Sequence, residues 1–271
     1  AIVLFLYDTI QSPDQIFVNN YLIDGAPKTL TNLEDVNTIK MVWYSPLTDC
    51  SRMFYDLSNI LDINLLNFDS SQVISMSEMF LNCQSLTSID FTNFNTAKVN
   101  NFLSMFYGCK NLKSLDLRSF DTSSVTTMYQ MFSGCNALTS LDLSSFNTHL
   151  VNNMLQMFFQ CYQLKSLDLS SFDTSSVTTM YQMFYACQDL KSLDISSFNT
   201  PLVTNMFQMF ADCFSLESLD LSNFNTSSVT DMFQMFHVCK KLKSLNLSNF
   251  YTPKLTSMVE MFNNCNELET L

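Results

Sequence analysis

Eight cysteines set the organisation of this chain, because each lies 26 residues from the next. They are Cys83, Cys109, Cys135, Cys161, Cys187, Cys213, Cys239 and Cys265. A Met-Phe pair keeps the same interval without an insertion, from Met53-Phe54 to Met261-Phe262. A fixed period of this length indicates that one small structural unit is stacked on copies of itself. The sequence therefore predicts one continuous solenoid of about nine repeats.

The composition restricts the classes of function that such a solenoid can have. Hydrophobic residues make up 47% of the chain, which is too many for a disordered protein. The formal net charge of −12 argues against a nucleic acid as partner and against docking on an anionic membrane surface. No apolar run approaches the roughly 20 residues of a membrane-spanning helix. We expect neither nucleic-acid binding nor membrane insertion.

Each repeat is predicted to contain one short strand. Residues 112–135 read LKSLDLRSFDTSSVTTMYQMFSGC, in which Leu115, Asp116 and Leu117 alternate as in a half-buried strand. Phe120 follows the strand and is expected to turn into the core. Strands at 115–117, 141–143 and 167–169 are then expected to form one parallel sheet, with neighbours about 4.8 Å apart.

The second half of each repeat is predicted to be about two turns of helix. Thr122 and Ser123 have the hydroxyl groups of helix N-cap residues. The apolar residues that follow have the three-to-four spacing of one buried helical face, and they are Val125, Met128, Met131 and Phe132. A unit of 26 residues buries too little surface to fold alone, so stability should come from contacts between neighbouring repeats.

The two ends of the chain differ from the repeats. Residues 1–36 lack the Met-Phe pair and are predicted to form an N-terminal capping segment, while residues 37–271 form the solenoid. The opening AIVLFLY is expected to be the first strand, and the remnant of a signal peptide is the alternative. The chain stops on what would be the strand of another repeat, so we expect further residues or a partner to cover that end.

The repeat LxxLDLSSFxTxxVxxMxxMFxxC closely resembles the BspA-like leucine-rich repeats, a class of surface-protein repeats first grouped as a mycoplasma domain of unknown function. The resemblance covers about residues 37–271. It implies a right-handed α/β leucine-rich-repeat solenoid, with a parallel sheet on one face and short helices on the other. It also implies a secreted or cell-surface protein that functions in adhesion or protein binding. The family pattern supplies no catalytic residues.

One aspartate per repeat stands between the two apolar residues of the predicted strand. This acidic row consists of Asp90, Asp116, Asp142, Asp168, Asp194 and Asp220, and Asn246 continues it. Like charges opposite each other on neighbouring strands are unfavourable. Lysines three residues upstream are available to offset them, namely Lys113, Lys165, Lys191 and Lys243. The row is either a solvated, partly paired face or a site for cations or a basic partner, and calcium is the first ion to test.

A second column lies at the position after the methionine of the predicted helix. This aromatic stripe consists of Leu103, Tyr129, Leu155, Tyr181, Phe207 and Phe233, and Val259 continues it. It is either the flank of the core or an apolar strip that marks an interaction surface. A homotypic contact of stripe against stripe is one form that such an interaction could take.

The cysteines and glutamines also form columns. A ladder of buried thiols is the favoured interpretation of the cysteines, with disulfides between neighbouring repeats as the alternative. The spacings of zinc sites are missing. Cys50 lies outside the column, at the position that Met76 holds one repeat later. Gln130, Gln156, Gln182, Gln208 and Gln234 are predicted to be a hydrogen-bonded or solvated row.

The sequence does not indicate an enzyme. His149 and His237 occupy unrelated positions of the repeat, so they form no nucleophilic set, and there is no glycine-rich phosphate loop. Two hypotheses remain. The chain is a non-enzymatic module that binds a protein or a glycan over its acidic face, or a structural protein that assembles with copies of itself through the repeat ends or the aromatic stripe. No cofactor is expected beyond the calcium alternative.

Overall fold

The computed structural model describes residues 2–3, 11–25, 29–30 and 38–271. These residues form short strands and turns, and no helix occurs among them. The strands are β1 (Ile2–Val3), β2 (Gln15–Val18), β3 (Tyr21–Ile23), β4 (Thr29–Leu30), β5 (Ile39–Val42), β6 (Asp62–Asn64), β7 (Ser88–Asp90), β8 (Ser166–Asp168), β9 (Ser192–Asp194), β10 (Ser218–Asp220) and β11 (Ser244–Asn246).

The first five strands form antiparallel pairs that precede the repeats. β2 pairs with β3 on one side and with β5 on the other, and β1 pairs with β4. Asn19 and Asn20 join β2 to β3 with positive φ angles of 49° and 69°, as a tight type I′ hairpin requires. β1 lies in the opening stretch for which a strand was predicted. The remaining residues of that stretch lie outside the described ranges, as does much of the predicted cap.

Nine stacked repeats follow, as the cysteine spacing predicts. One residue of each repeat forms a parallel bridge to the equivalent residue of the next, and these residues are Asp49, Ser75, Asn101, Thr127, Asn153, Thr179, Asn205, Asp231 and Ser257. The interval stays at 26 residues throughout. The coarse prediction of a leucine-rich-repeat solenoid with parallel strands is confirmed.

The predicted sheet is interrupted. β6 pairs with β7, β8 with β9 and β10 with β11, all in parallel, but no strand forms at 115–117 or 141–143. The strand predicted at 167–169 lies one residue earlier. Leu115 and Leu141 are still buried, so their side chains face inward as the alternation predicts. Burial of the leucines determines which side chains face the core, but a segment of three residues is too short to guarantee hydrogen-bonded pairing with the next repeat.

The prediction of short helices is wrong. The segment after each bridge is a run of tight turns, in which the N–H groups of Met131 and Ser133 donate to the carbonyl groups three residues earlier, at 3.1 Å each. The N–H groups that alternate with them donate to the next repeat instead: Gln130 donates to the carbonyl of Leu155 and Phe132 to that of Met157, at 3.0 Å each. A helix would keep all these bonds within its own segment.

The close spacing of the repeats explains why turns replace helices. Packed helices need 8–10 Å between their axes, whereas paired strands lie about 4.8 Å apart. The buried rings of Phe132 and Phe158 stack at 5.6 Å, so neighbouring turn runs are far too close to be helices. Gln130 and Gly134 have positive φ angles of 55° and 72°, which interrupt a right-handed helix twice in each run.

The predicted core residues are nevertheless correct. Val125, Met128, Met131 and Phe132 are fully buried. Thr122, predicted as a helix N-cap, is also buried and clamps two repeats together. Its hydroxyl accepts a hydrogen bond from the N–H of Asn147 at 2.7 Å and donates to the carbonyl of the same residue at 2.8 Å.

Candidate functional site

The acidic row runs along the outer side of the strand column. Asp142, Asp168, Asp194 and Asp220 are exposed, while the leucines on either side of Asp168 are buried. Strand pairing places Asp168 directly beside Asp194, and the backbones of paired strands lie about 4.8 Å apart. Asparagine takes the same position at both ends of the row, where Asn64 pairs with Asp90 and Asn246 with Asp220.

Every aspartate of the row closes a local turn. The carboxylate of Asp168 accepts a hydrogen bond from the N–H of Ser170 at 2.9 Å, and the same bond to the second residue onward recurs along the row. Hydrogen bonds from Ser170 lower the pKa of Asp168, and hydrogen bonds from Arg118 lower the pKa of Asp116 to about 2. The carboxylates of Asp168 and Asp116 are therefore ionised at neutral pH.

The row retains most of its negative charge, because few cations lie close to it. Arg118 forms an ion pair with Asp116 at 2.6 Å. In the described part of the chain, no other aspartate of the row has a basic group within 4.0 Å, so the predicted lysine partners do not pair with it. Lys243 pairs instead with Glu217, at 3.8 Å.

A shallow, open depression of about 390 Å³ interrupts the acidic row. Asp168, Asp194 and Asp220 contribute its charged rim, and Ser192 adds a hydroxyl. Leu193 is only partly buried, unlike the leucine of β8, and it forms an apolar part of the lining. The depression therefore combines a hydrocarbon surface with three carboxylates.

No metal centre is formed by the residues that the structure describes. No group of three or more His, Cys, Asp or Glu side chains among them converges closely enough to hold a metal ion. In the acidic row each carboxylate is already engaged with the backbone of its own turn. Calcium binding stays a prediction for the titrations described below.

The cysteine column is a ladder of buried thiols, as favoured from the sequence. The thiol of Cys135 donates to the carbonyl of Phe106 at 3.2 Å, and the same bond recurs from Cys83 to Cys265. All nine cysteines are free, and only Cys265 is partly exposed. Burial raises the pKa of Cys83 and Cys161 to about 12, so these thiols are structural and unreactive at neutral pH.

The glutamine column forms a chain of side-chain amides. Gln130 donates to Gln156, and the bonds continue at 2.5–2.6 Å to Gln234, which donates to the carboxylate of Glu260. All five glutamines are half-buried. The predicted hydrogen-bonded row is confirmed, and its backbone has a positive φ in every repeat.

The aromatic stripe lies beside this glutamine ladder and is half-buried from Leu103 to Phe233. The rings of Tyr181 and Phe207 stack at 4.9 Å, and those of Phe207 and Phe233 at 5.1 Å. Each ring face is covered by the next ring, so the stack turns mainly ring edges toward solvent. Val259, at the end of the stripe, is 58% exposed.

Two further columns were missed from the sequence. One is the row of buried threonines to which Thr122 belongs. The other is a second apolar row, four residues after the aromatic stripe, in which Phe159 and Tyr185 stack at 5.0 Å. Recurrence at 26 residues was the available signal for both. The two histidines remain apart, since His149 contacts Asn147 and His237 lies 4.0 Å from Glu260.

Several solved structures are similar to this chain at low identity. A leucine rich cell surface protein from Faecalibacterium prausnitzii is 17% identical, over 81% of this chain and 74% of that one, with a TM-score of 0.31. A leucine-rich repeat protein from Eubacterium ventriosum is 16% identical over 77% and 43%, with a TM-score of 0.37. An LRR protein from Leptospira interrogans is 18% identical over 85% and 58%, with a TM-score of 0.33.

No curated protein matches the sequence significantly. Among the described residues, no helix is long and apolar enough to cross a membrane. The family described as "Mycoplasma protein of unknown function, DUF285" matches in five overlapping segments, residues 27–115, 48–166, 82–193, 108–218 and 160–270. Together these segments cover residues 27–270, which is all but the last residue of the solenoid. The resemblance inferred from the repeat is confirmed, and this chain belongs to the DUF285 family of Mycoplasma proteins of unknown function.

Proposed function

We propose that this chain is a non-enzymatic module of the cell surface or the extracellular space that binds a basic protein partner along its acidic row. The observation that carries the proposal is a line of carboxylates, most of them exposed, that the molecule leaves largely without cations. The family match and the surface protein among the similar structures support the same setting.

The depression beside Leu193 indicates how the partner is recognised. The hydrocarbon stem of a lysine or arginine can lie on Leu193, while its charged end reaches Asp168, Asp194 or Asp220. Long-range attraction by the row should accelerate the encounter with a positively charged surface. Recognition is then expected to depend on the number of basic groups that meet the row at its spacing of about 4.8 Å.

A protein fits this surface better than a glycan does. Sugars are commonly bound by flat aromatic faces, but the faces of Tyr181 and Phe207 cover each other, and both belong to the turn side rather than the acidic row. The acidic row itself is lined by serine, leucine and aspartate. Such a surface favours cationic side chains.

The test uses a synthetic lysine-rich peptide and isothermal titration calorimetry. Asp168→Asn with Asp194→Asn should weaken binding by about tenfold or more, because each lost carboxylate removes a charge contact. Asparagine keeps the turn, as Asn64 and Asn246 show. The matched control is Asp121→Asn with Asp173→Asn, which removes the same charge from aspartates that close the same kind of turn elsewhere.

An equal loss in both double variants would mean that the peptide responds only to net charge, and the proposed site would be wrong. Binding at the acidic row should also weaken as salt rises, because the charges are exposed. The same titration with calcium chloride in place of the peptide tests whether the row binds that ion. If the wild-type chain binds calcium and the Asp168→Asn with Asp194→Asn variant does not, calcium would be favoured over a basic protein as the ligand of the acidic row.

A further inference from the structure

The turn side of the solenoid has an uncharged strip in its middle. We call this the neutral strip, and it consists of the outward residues of five successive turn runs, at 101–107, 127–133, 153–159, 179–185 and 205–211. The position after each run is Gly108, Gly134, Gln160, Ala186 and Asp212, so one carboxylate borders the strip at its last run. These five segments contain no Lys, Arg, Asp or Glu, although the whole chain has a net charge of −12. Uncharged surface is therefore concentrated on one side of the molecule, opposite in character to the acidic row.

The neutral strip has the chemistry of a surface that packs against its own kind. It combines the aromatic stripe, the glutamine ladder and the second apolar row with Phe159 and Tyr185, all half-buried. Stacked aromatic rings and ladders of amide side chains are the elements that pair between neighbouring cross-β sheets. Each bonded glutamine amide keeps one more N–H group and one more lone pair, which a facing amide can use.

Charged residues lie beyond both ends of the strip, and one pair of opposite charge stands at equal distances from its middle. The five neutral runs are centred on the run with Leu155 and Phe159. Four repeats before this centre lies Arg52, paired with Glu78 at 2.8 Å, and four repeats after it lies Glu260. A copy turned through 180° about the centre therefore brings Arg52 opposite Glu260, whereas a parallel copy brings Glu260 opposite Glu260.

We propose that the neutral strip binds a second copy of this chain, antiparallel and related by a two-fold axis at Leu155 and Phe159. A copy has the same spacing between repeats, so contacts at the centre stay in register along the strip. It also has the same negative charge, so only an uncharged face allows close approach. In this arrangement Leu155 meets its own equivalent, and Tyr129 lies opposite Tyr181 of the other copy.

Sedimentation velocity over a concentration series tests the proposal. The wild-type chain should dimerise in the micromolar range, and salt should strengthen the dimer because it screens the repulsion between two copies of charge −12. This salt response is opposite to the one expected for a basic partner on the acidic row. Leu155→Lys should weaken dimerisation by about tenfold or more.

The matched control is Leu150→Lys, in the same repeat, because Leu150 is 46% exposed and lies outside the neutral strip. It should leave dimerisation unchanged. A rescue experiment separates the contact from misfolding: Leu155→Lys and Leu155→Glu should each be monomeric, and their equimolar mixture should form a heterodimer. This follows because the residue meets itself across the two-fold axis.

Four outcomes would overturn the proposal. The first is a wild-type chain that stays monomeric up to about 1 mM. The second is a wild-type dimer that Leu155→Lys leaves intact, which would place the contact elsewhere. The third is a mixture of the two charged variants that remains monomeric although each variant has the same free energy of unfolding as the wild type. Binding of a different protein at the strip of a monomeric chain would also contradict it.

Discussion

The two sides of each repeat are built on the same 26-residue interval, yet they differ in continuity. On the strand side, hydrogen-bonded strands form three separate pairs, and two repeats have no strand at all. On the turn side, eight bridges, eight thiol-to-carbonyl bonds and a stack of buried phenylalanines follow one another. The turn side therefore holds neighbouring repeats together, and the strand side presents the charge.

This difference means that the two sides should respond differently to the same perturbation. Most thiols and phenylalanines of the turn side are buried, so they cannot exchange their present partners for water. The strand side is wet, and its carboxylates can exchange their hydrogen bonds for water. Stability should thus depend strongly on the turn side, while the acidic row can vary at little cost.

Alkaline pH should give the largest effect. Burial raises the pKa of seven thiols, to about 12 for Cys50, Cys83, Cys161 and Cys213, so the native state holds their protons more tightly than the unfolded chain does. This stability is complete below the unfolded pKa of about 8.5 and is lost as pH rises toward the folded value, at about 1.4 kcal/mol per pH unit for each thiol. Urea unfolding from pH 7 to pH 11 measures it.

Two observations check the origin of that effect. A variant with Cys135→Ala and Cys161→Ala should lose stability less steeply above pH 9 than the wild type. In the folded chain iodoacetamide should label Cys265 first, because it is partly exposed and a hydrogen bond from Cys239 lowers its pKa. Rapid labelling of all nine thiols without denaturant would contradict the buried ladder.

Removal of a buried ring from the turn side should give the next largest effect. Phe132→Ala deletes a fully buried side chain stacked between two others, and we expect a loss of about 3–5 kcal/mol in the free energy of unfolding. Leu141→Ala, on the strand side where the sheet is interrupted, should cost about 2 kcal/mol. Urea denaturation of both variants measures the contrast, and a larger loss for Leu141→Ala would reverse the comparison.

Relief of backbone strain on the turn side should stabilise the chain modestly. Val238 has a φ of 59°, which is unfavourable for a branched side chain, while Asn82 and Asn264 hold the same position in other repeats. Val238→Asn should add about 0.5–1 kcal/mol, or roughly 2–4 °C in Tm. Val259→Asn serves as the control, since its backbone has no positive φ. An equal gain in both variants would rule out strain as the cause.

Acid should give the smallest effect, on the strand side. Hydrogen bonds lower the pKa of Asp116 to about 2, so its stabilising contribution is present above the unfolded pKa of about 3.9 and is lost as pH falls through the folded value. Because the row is exposed, the Tm of thermal unfolding should fall only slightly between pH 5 and pH 2. Asp116→Asn should reduce the shift further, and a steep loss in this range would show that the acidic row stabilises the fold.

The sequence predicted the repeats and the core but not the backbone of the turn runs. Met128, Gln130 and Met131 belong to residue types with good helix propensity at helical spacing, so a helix was the natural expectation. The signal against it was weak: Gly108 and Gly134 occupy a position where a left-handed backbone is needed. Local propensity could not show this, because the decisive constraint is the distance to the neighbouring repeat.

The candidate surfaces were predicted in part. The acidic row faces outward as the alternation around Asp116 requires, but its local turns and its lack of lysine partners depend on side-chain geometry. The aromatic stripe was found from its recurrence. Its stacking, and its place beside the glutamine ladder in one uncharged strip, became visible only when the turn runs were packed at strand spacing.

By itself, the sequence determined the number of repeats, their register and the residues that are buried, because a strict 26-residue interval of apolar side chains is satisfied only by stacking. The tertiary structure alone decided between helix and turn. Rings stacked at 5.6–5.7 Å on either side of Phe132 leave no room for helices, so alternate N–H groups bond to the next repeat. Helix propensity reflects interactions within one segment, whereas the choice between helix and turn depends here on the contact between two neighbouring repeats.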